Sequence, residues 1–237
     1  MLTRVATRLP APVVAWLPRR ARLALKEHAE LAFWRSRAET EKQLSNSHYA
    51  FFYTTLFDLR LDDYRGRRIL DVGCGPRGSL EWAEGASERV GLDPLVASYK
   101  AFGIDRHKMS YVEAPSEAIP FADAYFDTVT SFNSLDHVDH LEQTLGEIGR
   151  VLRPGGRFLL IVEINHRPTP TEPVSIQHDA LKARLHGDYD VLSWRCYPLP
   201  PDHQIYAAVR NGTPLASPPS GPAILVASFV RRPANAR

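Results

Sequence analysis

Three glycines, a few well-spaced carboxylates and a small set of histidines carry the chemistry this chain could do. Asp71 sits in the apolar run Ile69-Leu70-Asp71-Val72, and Gly73, Gly75 and Gly78 follow it with the spacing G-x-G-x-x-G. Glycine tolerates positive φ and lets another group approach the backbone closely, so such a turn can cradle a nucleotide-like ligand. Asp93 stands about 20 residues further on, where a carboxylate can accept hydrogen bonds from both hydroxyls of a ribose. A second set could move protons. Asp136, His137 and His140 follow the β-branched run 126–132, and His166 follows the apolar run 157–164. A histidine near neutral pH can take a proton from a hydroxyl or an ammonium.

These residues need elements to hold them, and the periodicities supply candidates. Strands are expected at 67–72, 89–93, 109–112, 126–132, 157–164, 189–197 and 223–230. Helices are expected over 22–45 (one or two segments), 48–59, 79–84, 96–102, 141–152 and 176–185, with Asp139 as the N-cap of the fifth. Strands alternating with helices imply a Rossmann-like, doubly wound sheet of about seven strands. It is mostly parallel with an antiparallel C-terminal strand, behind an N-terminal helical extension. In such a sheet ligands sit outside the carboxyl ends of the strands. Asp71 to Gly78, Asp93, Ser116-Glu117 and Asn133 to His137 all fall there. The expected division is a basic tail (1–21), a helical cap (22–64) and the main domain (65–237). The aromatic stretch 48–59 either covers one face of the sheet or closes over the ligand. Core packing is the expected place of Trp34, Tyr49 and Phe52. The proline-rich segment 198–222 is expected to be a flexible surface loop rather than a functional flap.

Composition removes several function classes. The 237 residues carry a formal charge of +2, which gives no global case for nucleic-acid binding. The cationic residues Arg4, Arg8, Arg19, Arg20, Arg22 and Lys26 all precede the first acid, Glu27, leaving weak membrane-surface contact open for the N-terminus. Two cysteines, Cys74 and Cys196, make neither a disulfide framework nor a metal cluster, and a reducing, cytoplasmic setting is expected. No Cys/His cluster is visible in the spacing, so no metal is expected.

Five blocks together resemble the class I S-adenosylmethionine-dependent methyltransferases, and within them the small-molecule "type 11" group. They are Ile69 through Pro76, Gly91-Leu92-Asp93, Glu117-Ala118-Ile119-Pro120-Phe121, Phe126-Asp127-Thr128-Val129 and Arg150 through Arg157. They span about residues 67–164 in the family's order. The resemblance implies S-adenosylmethionine as cofactor and a small-molecule, glycan- or lipid-linked acceptor. It places Gly73 and Gly75 under the methionine part and ribose, and Asp71 as anchor of the turn and holder of the methionine ammonium. Asp93 would grip the ribose, Ser116 and Glu117 would lie beside the adenine, and Asn133 would contact the cofactor. Many relatives carry an aspartate facing the adenine amine where this chain has Pro115; a backbone acceptor or Glu113 would have to serve instead. His137 and Asp136 are the candidate catalytic residues on the acceptor side, with oxygen the expected methylated atom. His166 and His48 are further candidates. Two other functions stay open: a catalytically silent cofactor-binding module, and an NAD(P)-dependent oxidoreductase. The second is disfavoured by Asp71 before the turn and by Arg153-Pro154-Gly155-Gly156. The oligomeric state is left open.

Overall fold

A computed structural model describes residues 19–42, 44–169 and 171–233. The basic stretch 1–18 lies outside the described residues. Seven strands form one sheet: β1 (Arg68–Val72), β2 (Glu88–Asp93), β3 (Ser110–Glu113), β4 (Phe126–Phe132), β5 (Leu152–Ile164), β6 (Tyr189–Pro198) and β7 (Ala223–Arg231). Their order is β3-β2-β1-β4-β5-β7-β6. β7 pairs antiparallel with both β5 and β6, and the pairs from β3 across to β5 are parallel. The chain leaves β1 for β2 on one side and later returns to β4 on the other. That reversal opens a crevice at the carboxyl ends of β1 and β4.

The side chains of the strands sort by parity, as pleating requires. Leu70, Val129, Leu160, Val162, Leu225 and Ala227 join one core with Leu145, Ile148 and Val151 of α4 (Leu141–Val151) and Leu181 and Leu185 of α5 (His178–His186). Ile69, Leu159, Ile161, Ile224 and Val226 point to the other face. There they meet Phe52 and Tyr53 of α2 (Tyr49–Tyr53) and Ile205 and Val209 of α6 (Ile205–Asn211). The order α1 (Arg19–Glu41), α2, then α3 (Val96–Tyr99) completes the helices. No helix among the described residues is long and apolar enough to cross a membrane.

Three local expectations are corrected. Residues 79–84 form no helix. Only fifteen positions separate β1 from β2, and they close in successive tight turns: Glu81 N–H to Gly78 O, Ala83 N–H to Leu80 O, Ala86 N–H to Ala83 O. The proline-rich segment holds α6, whose Tyr206 ring packs on Phe52 at 4.8 Å. The helix expected over 48–59 is α2 followed by a 3-10 turn (Thr55–Phe57), because Asp58 takes a left-handed φ of 57°.

Candidate active site

Asp71 lies in β1 just before the glycine turn, wholly buried, and works as a structural hub. Its carboxylate accepts hydrogen bonds from Tyr53 Oη (3.0 Å), Ser79 Oγ (2.5 Å) and Thr130 Oγ1 (2.6 Å). Burial raises its pKa to about 6, and the three hydroxyl donors oppose that rise. Tyr53 of the aromatic stretch thus covers a face of the sheet and reaches Asp71 just before the turn.

The glycines answer to protein groups as much as to any ligand. Gly73 has φ of 73°, and a Cβ placed there would stand 2.3 Å from Ser134 Cβ. Ser134 in turn donates to Val72 O at 2.8 Å, locking the loop after β4 against the turn after β1. Gly73→Ala is expected to cost about 2–4 kcal/mol, combining left-handed backbone strain with overpacking. Gly155 shares the positive φ but has nothing within 4 Å of its Cβ position. Gly155→Ala should therefore cost only about 1–2 kcal/mol, and chemical denaturation of the two variants measures the difference. A Cβ at Gly75 would stand 2.9 Å from Cζ2 of Trp34. Trp34 packs against the buried Leu95, Val96, Tyr99 and Ile104, as expected, and also lies across the turn.

Helix α1 therefore roofs the strand ends. Arg77, inside the glycine turn, holds Glu41 of α1 through two nitrogens at 2.6 and 2.7 Å and stacks near the Trp34 ring. Such paired contacts between planar groups are geometrically specific. Glu30 accepts from Trp34 Nε1 at 2.9 Å. Its pKa is raised to about 7, first by burial and then by the charge of Asp93. Away from the roof Glu30 would ionise near 4.5, so docking of α1 should weaken as pH rises from there to about 7 and stay weakened above. Hydrogen exchange in α1, corrected for intrinsic rates, should show this loss of protection, and Glu30→Gln should flatten it. An unchanged profile in that variant would refute the assignment.

Asp93 ends β2 as expected. Its carboxylate accepts from Gly75 N–H (3.2 Å) and Leu95 N–H (3.0 Å). Burial nonetheless moves its pKa upward. Asn133 ends β4 with a left-handed φ of 53° and donates its N–H to Ile161 O. Ser116 bonds Thr144 of α4 at 3.0 Å. Glu117 takes the task expected of Asp139. Its carboxylate accepts the N–H groups of Asp139 (2.9 Å) and His140 (3.1 Å) at the start of α4, where His140 is the N-cap and gives no side-chain bond.

The acceptor-side pair comes together at the end of β4. Asp136 is fully buried, and neither carboxylate oxygen has a hydrogen-bond partner among the described residues. Burial, then the charge of Glu172, pushes its pKa up to about 8. His137 Nε2 lies 4.0 Å from Asp136 Oδ1. Burial is the largest cause holding the His137 pKa down at about 4. His166, from the loop after β5, stands 3.8 Å from Asp136 Oδ2. His48 instead packs on Tyr49 and Phe52, and His140 is exposed. Sequence reasoning missed Glu30 and Glu172, which come from segments without a motif, and Arg77 and Ser134, which lie inside motifs but act through contacts across the fold.

Comparison with known proteins agrees with this arrangement. Residues 70–160 match the family model described as a methyltransferase domain. The malonyl-(acyl-carrier protein) O-methyltransferase of Enterobacter lignolyticus is 39% identical over 98 residues, 41% of this chain and 39% of that protein. The ubiquinone/menaquinone biosynthesis C-methyltransferase of Yersinia enterocolitica is 35% identical over 126 residues, 49% of each. The matched region thus spans half or less of these relatives. An S-adenosylmethionine dependent methyltransferase from Mesorhizobium loti has the same fold, with a TM-score of 0.51 at 21% identity over 74% of this chain and 100% of that one. Residues 70–160 thus match a methyltransferase domain, set in a sheet whose order is shared in fold with an S-adenosylmethionine dependent methyltransferase.

Proposed function

We propose that this protein transfers a methyl group from S-adenosylmethionine to an oxygen of a small-molecule, glycan- or lipid-linked acceptor. One observation carries the reading. The glycine turn with Asp93 and the buried, unpartnered Asp136 beside His137 lie at neighbouring strand ends of one sheet. When bound, the cofactor supplies an electrophilic methyl carbon on a cationic sulfur. The residues fit such a group. Glu30, Asp93 and Asp136 are acids in a site that holds them against ionisation, and a cationic ligand would relieve that cost. Asp93 would hold the ribose, Asp71 would fix the turn under the methionine end, and Ser116 and Asn133 would border the cofactor. Trp34, lying against Gly75, is the side chain that must shift to admit it.

Asp136 and His137 would act on the acceptor's oxygen as a pair: the proton lost as the methyl is gained would pass to the pair through His137, whose low pKa leaves it unprotonated at neutral pH. The relatives include both an O- and a C-methyltransferase. Oxygen is favoured here because the polar pair is buried and would meet a hydroxyl or carboxyl at close range. Calorimetry with the full chain tests donor choice. S-adenosylmethionine should bind and NAD should not. Tight NAD binding without an S-adenosylmethionine signal would reject the reading.

A further inference from the structure

Among the described residues, four buried polar atoms in the loops after β4 and β5 have no hydrogen-bond partner: both carboxylate oxygens of Asp136, Nε2 of His137 and Nε2 of His166. Buried polar atoms are ordinarily paired, so such a group asks for an explanation. These atoms face one another. His137 Nε2 lies 4.0 Å from Asp136 Oδ1 and 4.0 Å from Glu172 Oε1, and His166 Nε2 lies 3.8 Å from Asp136 Oδ2. One ligating atom each from Asp136, His137 and Glu172 falls within a span of 4.8 Å.

The His166 ring identifies what belongs between them. Its Nδ1 stands 2.9 Å from the carbonyl oxygen of Arg167. A carbonyl can only accept, so Nδ1 carries the proton and Nε2 presents a lone pair. That lone pair is aimed at a carboxylate oxygen with no hydrogen bond between them. This is the arrangement of a metal-bound histidine, whose second nitrogen donates to a backbone carbonyl and fixes the ring. Lys26 is nearby, but its ammonium bonds the His137 carbonyl and lies 3.7 Å from Asp139.

We propose that Asp136, His137 and Glu172 form a binding site for a divalent transition-metal ion, with His166, beside Asp136, closing in as a fourth ligand when the ion binds. Two imidazoles with two carboxylates suit manganese, iron or zinc better than magnesium or calcium, which prefer oxygen alone. Adjacent ligands of a tetrahedral ion stand about 3.3 Å apart, so the separations of 3.8 to 4.0 Å here need only a small closure on binding. The sequence concealed the site because its ligands come from two loops, at 136–137 and 166–172, and none is a cysteine. The purpose of the ion rests on the functional reading above and deepens it: with Asp136 and His137 as ligands, the pair would act on the acceptor's oxygen through the ion, whose open coordination position would orient that oxygen and ease the loss of its proton. Metal binding itself does not depend on that reading.

The test uses the full chain, freed of metal by chelator and titrated with Co²⁺. A single saturable visible absorption band is expected, with thermal stabilisation by Co²⁺, Mn²⁺ or Zn²⁺. His166→Ala and Glu172→Gln should each weaken Co²⁺ binding more than about tenfold, while His186→Ala, at an exposed site, leaves it intact. S-adenosylmethionine calorimetry on the same variants should be unchanged, which also certifies their fold. Absence of a saturable band, or a band undiminished in both variants, would overturn the proposal. Failure to bind S-adenosylmethionine with normal Co²⁺ binding would instead remove the methyltransferase reading.

Discussion

Asp93→Ala is expected to weaken S-adenosylmethionine binding by on the order of 100-fold. On the proposed reading the carboxylate would accept the ribose hydroxyls, and hydrogen bonds to charged groups contribute about 1.5–3 kcal/mol each. The same substitution removes the acceptors for Gly75 N–H and Leu95 N–H. The glycine turn then loses its tie to β2, so the loss has both a direct and a positioning part. Asp93→Asn separates them: it can keep one acceptor for the turn while losing the charge, and should fall between wild type and alanine. Calorimetry with each variant gives the comparison. An alanine variant with undiminished affinity would show that the ribose sits elsewhere.

Asp136→Asn should produce the opposite separation. Turnover is expected to fall by about 10²- to 10⁴-fold, the usual range for removing a group that handles the reacting proton. Cofactor affinity should stay within about twofold of wild type, because Asp93 and the glycine turn are untouched. The variant is nearly isosteric and removes an unpaired buried carboxyl, so it should not unfold the chain. Denaturant midpoints and single-turnover rates, measured together, decide it. Full turnover in Asp136→Asn would move the acceptor to another part of the sheet edge.

The sheet was legible because its strands announce themselves by β-branched, apolar runs between turn residues. Phe126–Phe132 and Leu141–Val151 fall within a residue of their expected bounds. The glycine turn and its tie to Asp93 were legible because Asp71, Gly73, Gly75 and Asp93 sit on one local strand-turn-strand unit. The helix expected over 79–84 failed because a 3.6-residue pattern says nothing about how much chain is left before the next strand. Glu117 misled for a different reason. Its motif position is beside the adenine, yet the unpaired N–H groups at the start of α4 claim its carboxylate. The roles of Trp34, Glu30 and Ser134 were not legible at all. Each depends on a contact across the fold: α1 onto the glycine turn, or the loop after β4 onto Gly73. Local periodicity carries no information about such contacts. The Asp136, His137, His166 and Glu172 cluster escaped in the same way, since only the parallel pairing of β4 with β5 brings the two loops together.

The central claim is methyl transfer, and it is tested most directly by incubating the purified full chain with methyl-labelled S-adenosylmethionine and a metabolite extract. The account predicts S-adenosylhomocysteine formation with label in an oxygen-linked methyl group of a small product, both lost in Asp136→Asn. Tight binding of the cofactor with no transfer to any extract component, and no difference between wild type and Asp136→Asn, would contradict it and identify a cofactor-binding module without catalysis.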